Sequence, residues 1–177
     1  MFPRLSLVLG GARSGKSALA ERLVALSGGE KIYLATGQGL DEEMAERIAR
    51  HRAARGPGWR TIEEPRAVAT ALGGLRKGQT VLLDCASLWL SNHLLNGSDI
   101  AAEVAALEDA LGACPARVVV VSGEAGMGIV PENALARRFR DEQGLLNQRL
   151  AARAGLVVTV IAGLPLVLKG ALPEGLA

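Results

Sequence analysis

Leu5-Ser6-Leu7-Val8-Leu9, followed at once by Gly10-Gly11-Ala12-Arg13-Ser14-Gly15-Lys16-Ser17, is the stretch on which the fold turns. The first part is an apolar run of strand length. The second fits G-x-x-x-x-G-K-[ST], and Lys16 to Ser27 then reads as a helix. Strand, glycine-rich turn and helix in that order make an anion cradle. Glycines let successive N–H groups point into one concavity, and the helix adds its positive N-terminal end. Gly10, Gly11, Ala12, Arg13, Ser14, Gly15, Lys16 and Ser17 are therefore candidate nucleotide-binding residues. Lys16 is expected to act on the β and γ phosphates as a catalytic residue, and the Ser17 hydroxyl to ligate Mg²⁺. A turn of the same shape that binds nothing is the competing reading, and the Lys-Ser pair in its strand-to-helix setting argues against it.

Outward from this loop, short β-rich runs alternate with helical stretches, the pattern of a parallel sheet covered by helices. Strands are expected at Leu5–Leu9, Lys31–Ala35, Thr80–Asp84, Arg117–Ser122 and Leu156–Ala162. Leu166–Lys169 follows the Gly163-Leu164-Pro165 turn closely enough to form an antiparallel edge hairpin. Helices are expected at Lys16–Ser27, Asp41–Arg55, Arg66–Leu75, Ile100–Ala113 and Pro131–Arg153, the last with Pro131 in its first turn and Leu135, Phe139, Leu146 and Leu150 on one face. The fold class that follows is α/β: a P-loop NTPase with a mostly parallel RecA-like sheet, helices on both faces and a short antiparallel edge strand. The 177 residues suit one nucleotide-binding domain spanning 1–177.

Composition excludes several classes. Hydrophobic residues make up 49% of the chain, which argues against disorder, and a formal charge of +2 is too small to imply nucleic-acid binding by itself. Basic residues gather once, at Arg47, Arg50, Arg52, Arg55 and Arg60, a patch that suits a nucleotide's phosphates as well as a polymer's. The longest apolar stretch, Leu156 to Leu168, is broken by Gly163 and Pro165 and falls short of the roughly 20 residues of a membrane span. Cys85 and Cys114 match no metal spacing, and the chain opens on a strand and not on a secretory leader. Both are expected as buried thiols in a reducing cytoplasm.

The partner of the phosphate loop is Val81-Leu82-Leu83-Asp84, an apolar run ending in an acid. An acid at the C-terminal end of a parallel strand beside the loop is placed to hold Mg²⁺ directly or through water. The alternative is a carboxylate that caps the following helix.

Of the two histidines, His93 sits in Leu90-Ser91-Asn92-His93-Leu94-Leu95 and reads as structural. His51 ends a stripe with Met44 and Ile48, between Arg47 and Arg55. Two readings stand for it. One is a histidine packed at the inner edge of its helix among solvated arginines. The other is a nucleophile: neighbouring guanidinium groups oppose a further positive charge, keep imidazole neutral, and steady a triphosphate attacked at its α-phosphorus.

At these residues the sequence resembles one family, the adenosylcobinamide kinase/guanylyltransferases. The strings that carry the resemblance are Gly10 to Ser17, Tyr33-Leu34-Ala35-Thr36, Asp41 to Ile48 leading to His51, and Trp59-Arg60-Thr61 with Glu63. Gly126-Met127-Gly128-Ile129-Val130-Pro131-Glu132-Asn133, Arg138-Phe139-Arg140-Asp141 and Asn147-Gln148-Arg149-Leu150 complete them, in the family's order. The resemblance implies two reactions. The hydroxyl of adenosylcobinamide takes the γ-phosphate of ATP or GTP, and the resulting phosphate then takes GMP from a histidine, matched here by His51. It further implies nucleotide contacts at Ala35, Thr36, Gly37, Arg52, Ala53, Ala54, Arg55, Glu63 and Asp84, a corrinoid substrate, Mg²⁺ and a homotrimer. Some relatives carry a second histidine before the nucleophile and a glutamate at the end of the acidic strand. Arg50 and Asp84 stand there instead, so the extra histidine has no role here and the acid's reach to Mg²⁺ is one methylene shorter. The loop Gly123–Pro131 has two readings, a turn ahead of a helix or a lining of the corrinoid site. Alternatives to the family activity are a one-step small-molecule kinase and a non-catalytic GTP-binding module.

Overall fold

The computed structural model describes residues 2–38 and 55–176, together with Glu42, Glu46 and Ala49, which are helical. Most of the helix expected over 41–55, including Met44, Arg47, Ile48, Arg50, His51, Arg52, Ala53 and Ala54, lies outside the described residues.

In chain order the elements are β1 (Leu5–Gly10), α1 (Lys16–Ser27), β2 (Glu30–Ala35), β3 (Trp59–Glu63), α2 (Val68–Gly73), β4 (Gln79–Asp84), α3 (Ala86–Leu95), α4 (Ile100–Ala113), β5 (Arg117–Gly123), α5 (Ala134–Arg153), β6 (Leu156–Ile161) and β7 (Leu164–Lys169). The strands form one seven-stranded sheet in the order β3-β2-β4-β5-β1-β6-β7. Every pairing is parallel except β6 with β7.

Both faces are covered, which is why the inner strands read as unbroken apolar runs and not as alternating ones. Leu7, Ile32, Leu34, Val81, Leu83, Val118 and Val120 face α2 to α5, and pack with Val68, Leu72, Trp89, Leu107, Leu146 and Leu150. Val8, Tyr33, Leu82, Val119, Val121 and Val158 face the other way, onto Leu19, Ala20, Leu23 and Val24 of α1 and onto Leu176.

Several expectations are corrected. Trp59–Glu63 is a strand that periodicity did not reveal, because it lies at the sheet edge with no residue fully buried. Its Arg60 pairs with Glu30 at 3.4 Å. Ala86–Leu95 is a further unexpected helix. The last long helix begins at Ala134 and not at Pro131, because the Asn133 side chain accepts the Ala136 N–H at 2.7 Å and so caps it. The β6–β7 connection is the two-residue turn Ala162-Gly163, with φ of 52° and 80°, in place of Gly163-Leu164-Pro165. Positive φ at both central positions matches the twist of a tight hairpin.

Candidate nucleotide and magnesium site

The loop grows from the carboxyl end of β1, where Gly10 pairs with Gly123 of β5 and Val160 of β6. Only glycine fits at position 10: a Cβ there would stand 2.4 Å from Ser14 Oγ and 2.8 Å from the Val160 carbonyl oxygen. Arg13 (φ 56°) and Gly15 (φ 96°) supply the left-handed turns that fold the loop back onto α1. Gly163 N–H donates to Ser14 O at 2.9 Å, so the hairpin turn braces the loop from behind. The residue before α1 is Gly15, which has no side chain to cap the helix, so first-turn N–H groups remain for an anion. The Lys16 ammonium donates to Gly11 O at 2.9 Å and is held across the loop. Ser14 Oγ is buried and has no hydrogen-bond partner among the described residues.

Asp84 does not cap the next helix, since the capping position of α3 belongs to Cys85. Its carboxylate instead accepts the Tyr33 hydroxyl at 2.7 Å. Nor does its strand lie beside β1: β5 intervenes, setting Asp84 two strands, about 10 Å, from the loop's own strand. Glu21 lies one turn from Ser17 on the same helix face. Burial raises the Glu21 carboxyl pKa, the positive charge of Arg55 opposes that rise, and the negative charge of Asp84 adds to it. Glu21 of α1 thus lies within electrostatic reach of Asp84.

Ala35 stands in register between Glu63 of β3 and Asp84 of β4, so these residues form a row along the carboxyl edge. Thr36 is buried just beyond. Its N–H donates to Asp84 O at 3.1 Å, and its hydroxyl both donates to Cys85 O and accepts the Cys85 N–H at 2.8 Å. Asn92 of α3 donates to Thr36 O at 2.9 Å and fixes the segment entering Gly37. Arg55 lies over the Tyr33 ring, its guanidinium carbon 3.2 Å from the centroid. The phosphate loop, Ala35, Thr36, Gly37, Arg55, Glu63 and Asp84 therefore share one edge of the sheet. His51, Arg52, Ala53 and Ala54 lie outside the described residues.

The donors fit Mg²⁺. They are hard oxygens, a hydroxyl and a carboxylate, and no group of three or more His, Cys, Asp or Glu side chains able to hold a metal occurs among the described residues. A few protein oxygens completed by phosphates and water is the usual setting of this ion. Cys85 is no rival nucleophile. Burial and the negative charge of Asp84 push its thiol up to about 11, against the pull of nearby backbone N–H groups and of Lys16. His93 is a core residue, buried against Trp89, with Nδ1 3.0 Å from Ser98 Oγ and Nε2 3.2 Å from Arg66 O.

Sequence reasoning assigned no role to Tyr33 or Glu21, or to a polar cluster under the end of β5. In that cluster Ser122 Oγ donates to Asn147 Oδ1 at 2.7 Å, Gln143 Nε2 donates to Ser122 Oγ at 2.9 Å, and Asn147 Nδ2 donates to Gly123 O at 3.0 Å. Gly123 N–H donates to Ser87 Oγ at 2.7 Å. The strand end is thereby pinned just where the loop to α5 departs, and that loop exposes Met127 (89%), Ile129 (97%) and Val130 (61%). The i, i+4 spacing of Gln143 and Asn147, two polar residues on the inner side of α5, was the available signal.

A phosphate loop at the carboxyl edge of a mostly parallel, doubly covered sheet, faced by an acid, defines a P-loop nucleotide-binding protein. The fold is shared with the RadB recombinase (TM-score 0.52, 19% identity, 89% of this chain and 74% of that one) and with an ATPase from the type III secretion system of pathogenic bacteria (TM-score 0.51, 11% identity, 92% and 56%). Within that class the chain belongs to the family described as "Cobinamide kinase / cobinamide phosphate guanyltransferase", whose model matches residues 6–168. It is 50% identical over 167 residues to the bifunctional adenosylcobalamin biosynthesis protein CobP of Pseudomonas aeruginosa, covering 93% of this chain and 96% of that protein. It is 42% identical over 179 residues to the corresponding protein CobU of Escherichia coli, covering 92% and 98%. No helix among the described residues is long and apolar enough to cross a membrane.

Proposed function

We propose that this enzyme carries out both reactions of its family at the edge just described, using His51 as a transient carrier of GMP. In the first reaction the adenosylcobinamide hydroxyl attacks the γ-phosphorus of a nucleoside triphosphate, and the diphosphate leaves. Loop amides and Lys16 hold the transferring group and offset its charge, which is most of what phosphoryl transfer requires. In the second, His51 attacks the α-phosphorus of GTP and pyrophosphate leaves. The phosphate of adenosylcobinamide phosphate then attacks the same phosphorus, displacing the imidazole and forming adenosylcobinamide-GDP. Arg52 and Arg55 offset charge at that phosphorus, and Ala35, Thr36, Gly37, Ala53, Ala54 and Glu63 line the nucleotide. Ser17 and Asp84 would hold Mg²⁺, which when bound screens phosphate charge.

The observation that carries this reading is Arg55 stacked on Tyr33, whose hydroxyl bonds Asp84. Arg55 follows His51 by four residues, so the end of the arginine-rich segment is tied to the edge that bears the phosphate loop. The exposed apolar side chains Met127, Ile129 and Val130 beside that edge suit the large, flat corrinoid. A single domain acting in the cytoplasm as a homotrimer completes the proposal, on the family resemblance.

Incubation with GTP labelled at the α-phosphate tests it. The expected result is an acid-labile protein adduct that His51→Ala abolishes. Wild-type protein that takes no label, or a His51→Ala variant that keeps it, would refute the carrier role and leave a one-step kinase or a GTP-binding module.

A further inference from the structure

Tyr33 touches both halves of the site, although the reactions above give it no part. Its ring is held from the side by Trp59, edge to face with centroids 6.2 Å apart, and carries the Arg55 guanidinium on its face. Its hydroxyl donates to Asp84 Oδ2 at 2.7 Å. The phenol is the donor, because an ionised carboxylate has no proton to give and can only accept.

We propose that Tyr33 is a positioning residue serving two groups at once: its hydroxyl sets the bearing of the Asp84 carboxylate toward Mg²⁺, and its ring seats Arg55 against the nucleotide phosphates. The proposal rests on the nucleotide site described above. A carboxylate on a short side chain turns readily about its last torsion. With Oδ2 engaged by a phenol fixed in the sheet, that rotation is blocked and Oδ1 keeps one direction. The two functions separate chemically, since the first needs the hydroxyl and the second needs only the aromatic face.

Isothermal calorimetry of GTP binding, in EDTA and in Mg²⁺, reads both without turnover. Tyr33→Phe keeps the ring and the packing. It is expected to stay folded with a Tm a few degrees below wild type, to bind GTP unchanged in EDTA, and to lose about tenfold of the affinity gained with Mg²⁺, the scale of one hydrogen bond to a charged group. Tyr33→Leu is expected to lose affinity in EDTA as well, and adding Arg55→Ala to it should cost nothing further, because the seat and its occupant act as one unit. Tyr33→Phe with a full Mg²⁺ gain, or Tyr33→Leu and Arg55→Ala losses that simply add, would overturn the proposal. Wild-type protein that binds no GTP would overturn this and the reading beneath it together. Absence of a His51 adduct in protein that binds GTP with these Tyr33 effects would strike only the nucleotidyl-transfer reading.

Discussion

Replacing Gly10 by alanine tests the geometry of the phosphate loop directly, with Gly11→Ala as its neighbouring control. A Cβ at position 10 would lie 2.4 Å from Ser14 Oγ, 3.2 Å from Ser14 Cβ and 2.8 Å from the Val160 carbonyl oxygen. Ser14 is buried and cannot swing clear, and the Val160 oxygen belongs to a strand paired on both sides. Either the end of β1 leaves β6 or the loop lifts away from α1. Overpacking of this kind costs about 1–3 kcal/mol, and at this chain length each kcal/mol moves Tm by about 2–4 °C, so a fall of about 2–12 °C is expected. At position 11 the added Cβ meets nothing within 4 Å, and the backbone there has no positive φ. Gly11→Ala should therefore hold its Tm or gain about 1–3 °C, since alanine has less freedom to lose on folding. Scanning calorimetry without nucleotide measures both. Calorimetric titration of GTP should then show Gly10→Ala at least about tenfold weaker than wild type, because the shifted atoms are the amides of the cradle. Equal melting of the two variants, or Gly11→Ala the weaker, would refute the packing argument.

Glu108 is buried on α4 and takes hydrogen bonds from Arg149 and Arg153 of α5, whose side chains are 44% and 45% exposed. The Arg149 hydrogen bond, opposed by burial and helped by Arg153, holds the Glu108 carboxyl below its usual range, so its contribution is complete above the ordinary carboxylate pKa and is lost as pH falls through the lower, folded value. Glu108→Gln should be less stable than wild type by about 1–2 kcal/mol at neutral pH, the low end for partners so exposed, and the gap should close as pH falls below the ordinary carboxylate range; urea unfolding at several pH values would show it, and a constant gap would refute it. Asn133→Ala removes the cap of α5 and should cost about 1 kcal/mol, read as a Tm drop of about 2–4 °C, whereas Pro131→Ala, two residues before the cap, should cost less.

The phosphate loop, its strand and its helix were legible because their chemistry is contiguous: eight adjacent residues carry the turn, the charge and the hydroxyl. The buried strands were legible because packing on both faces leaves long apolar runs. The edge strand Trp59–Glu63 was not, since Arg60 and Glu63 are exposed and only pairing with β2 makes it a strand. The helix Ala86–Leu95 was not legible because a single residue, Cys85, separates it from β4. Asn133 outweighed Pro131 as the start of α5 because an acceptor for an orphan N–H stabilises a helix end more than a preset φ does.

The amino-acid sequence alone was enough to place a phosphate-loop turn between the first strand and the first helix, and its family strings named the chemistry to look for. Tertiary structure alone decided that β5 comes between β1 and β4, that Asp84 answers to Tyr33 and not to a helix end, and that Arg55 lies on the same ring. The physical reason is range. A turn and a helix terminus are specified by residues a few positions apart. The order of parallel strands instead emerges from crossovers many residues long and from burial on two faces at once, which no short stretch of sequence records.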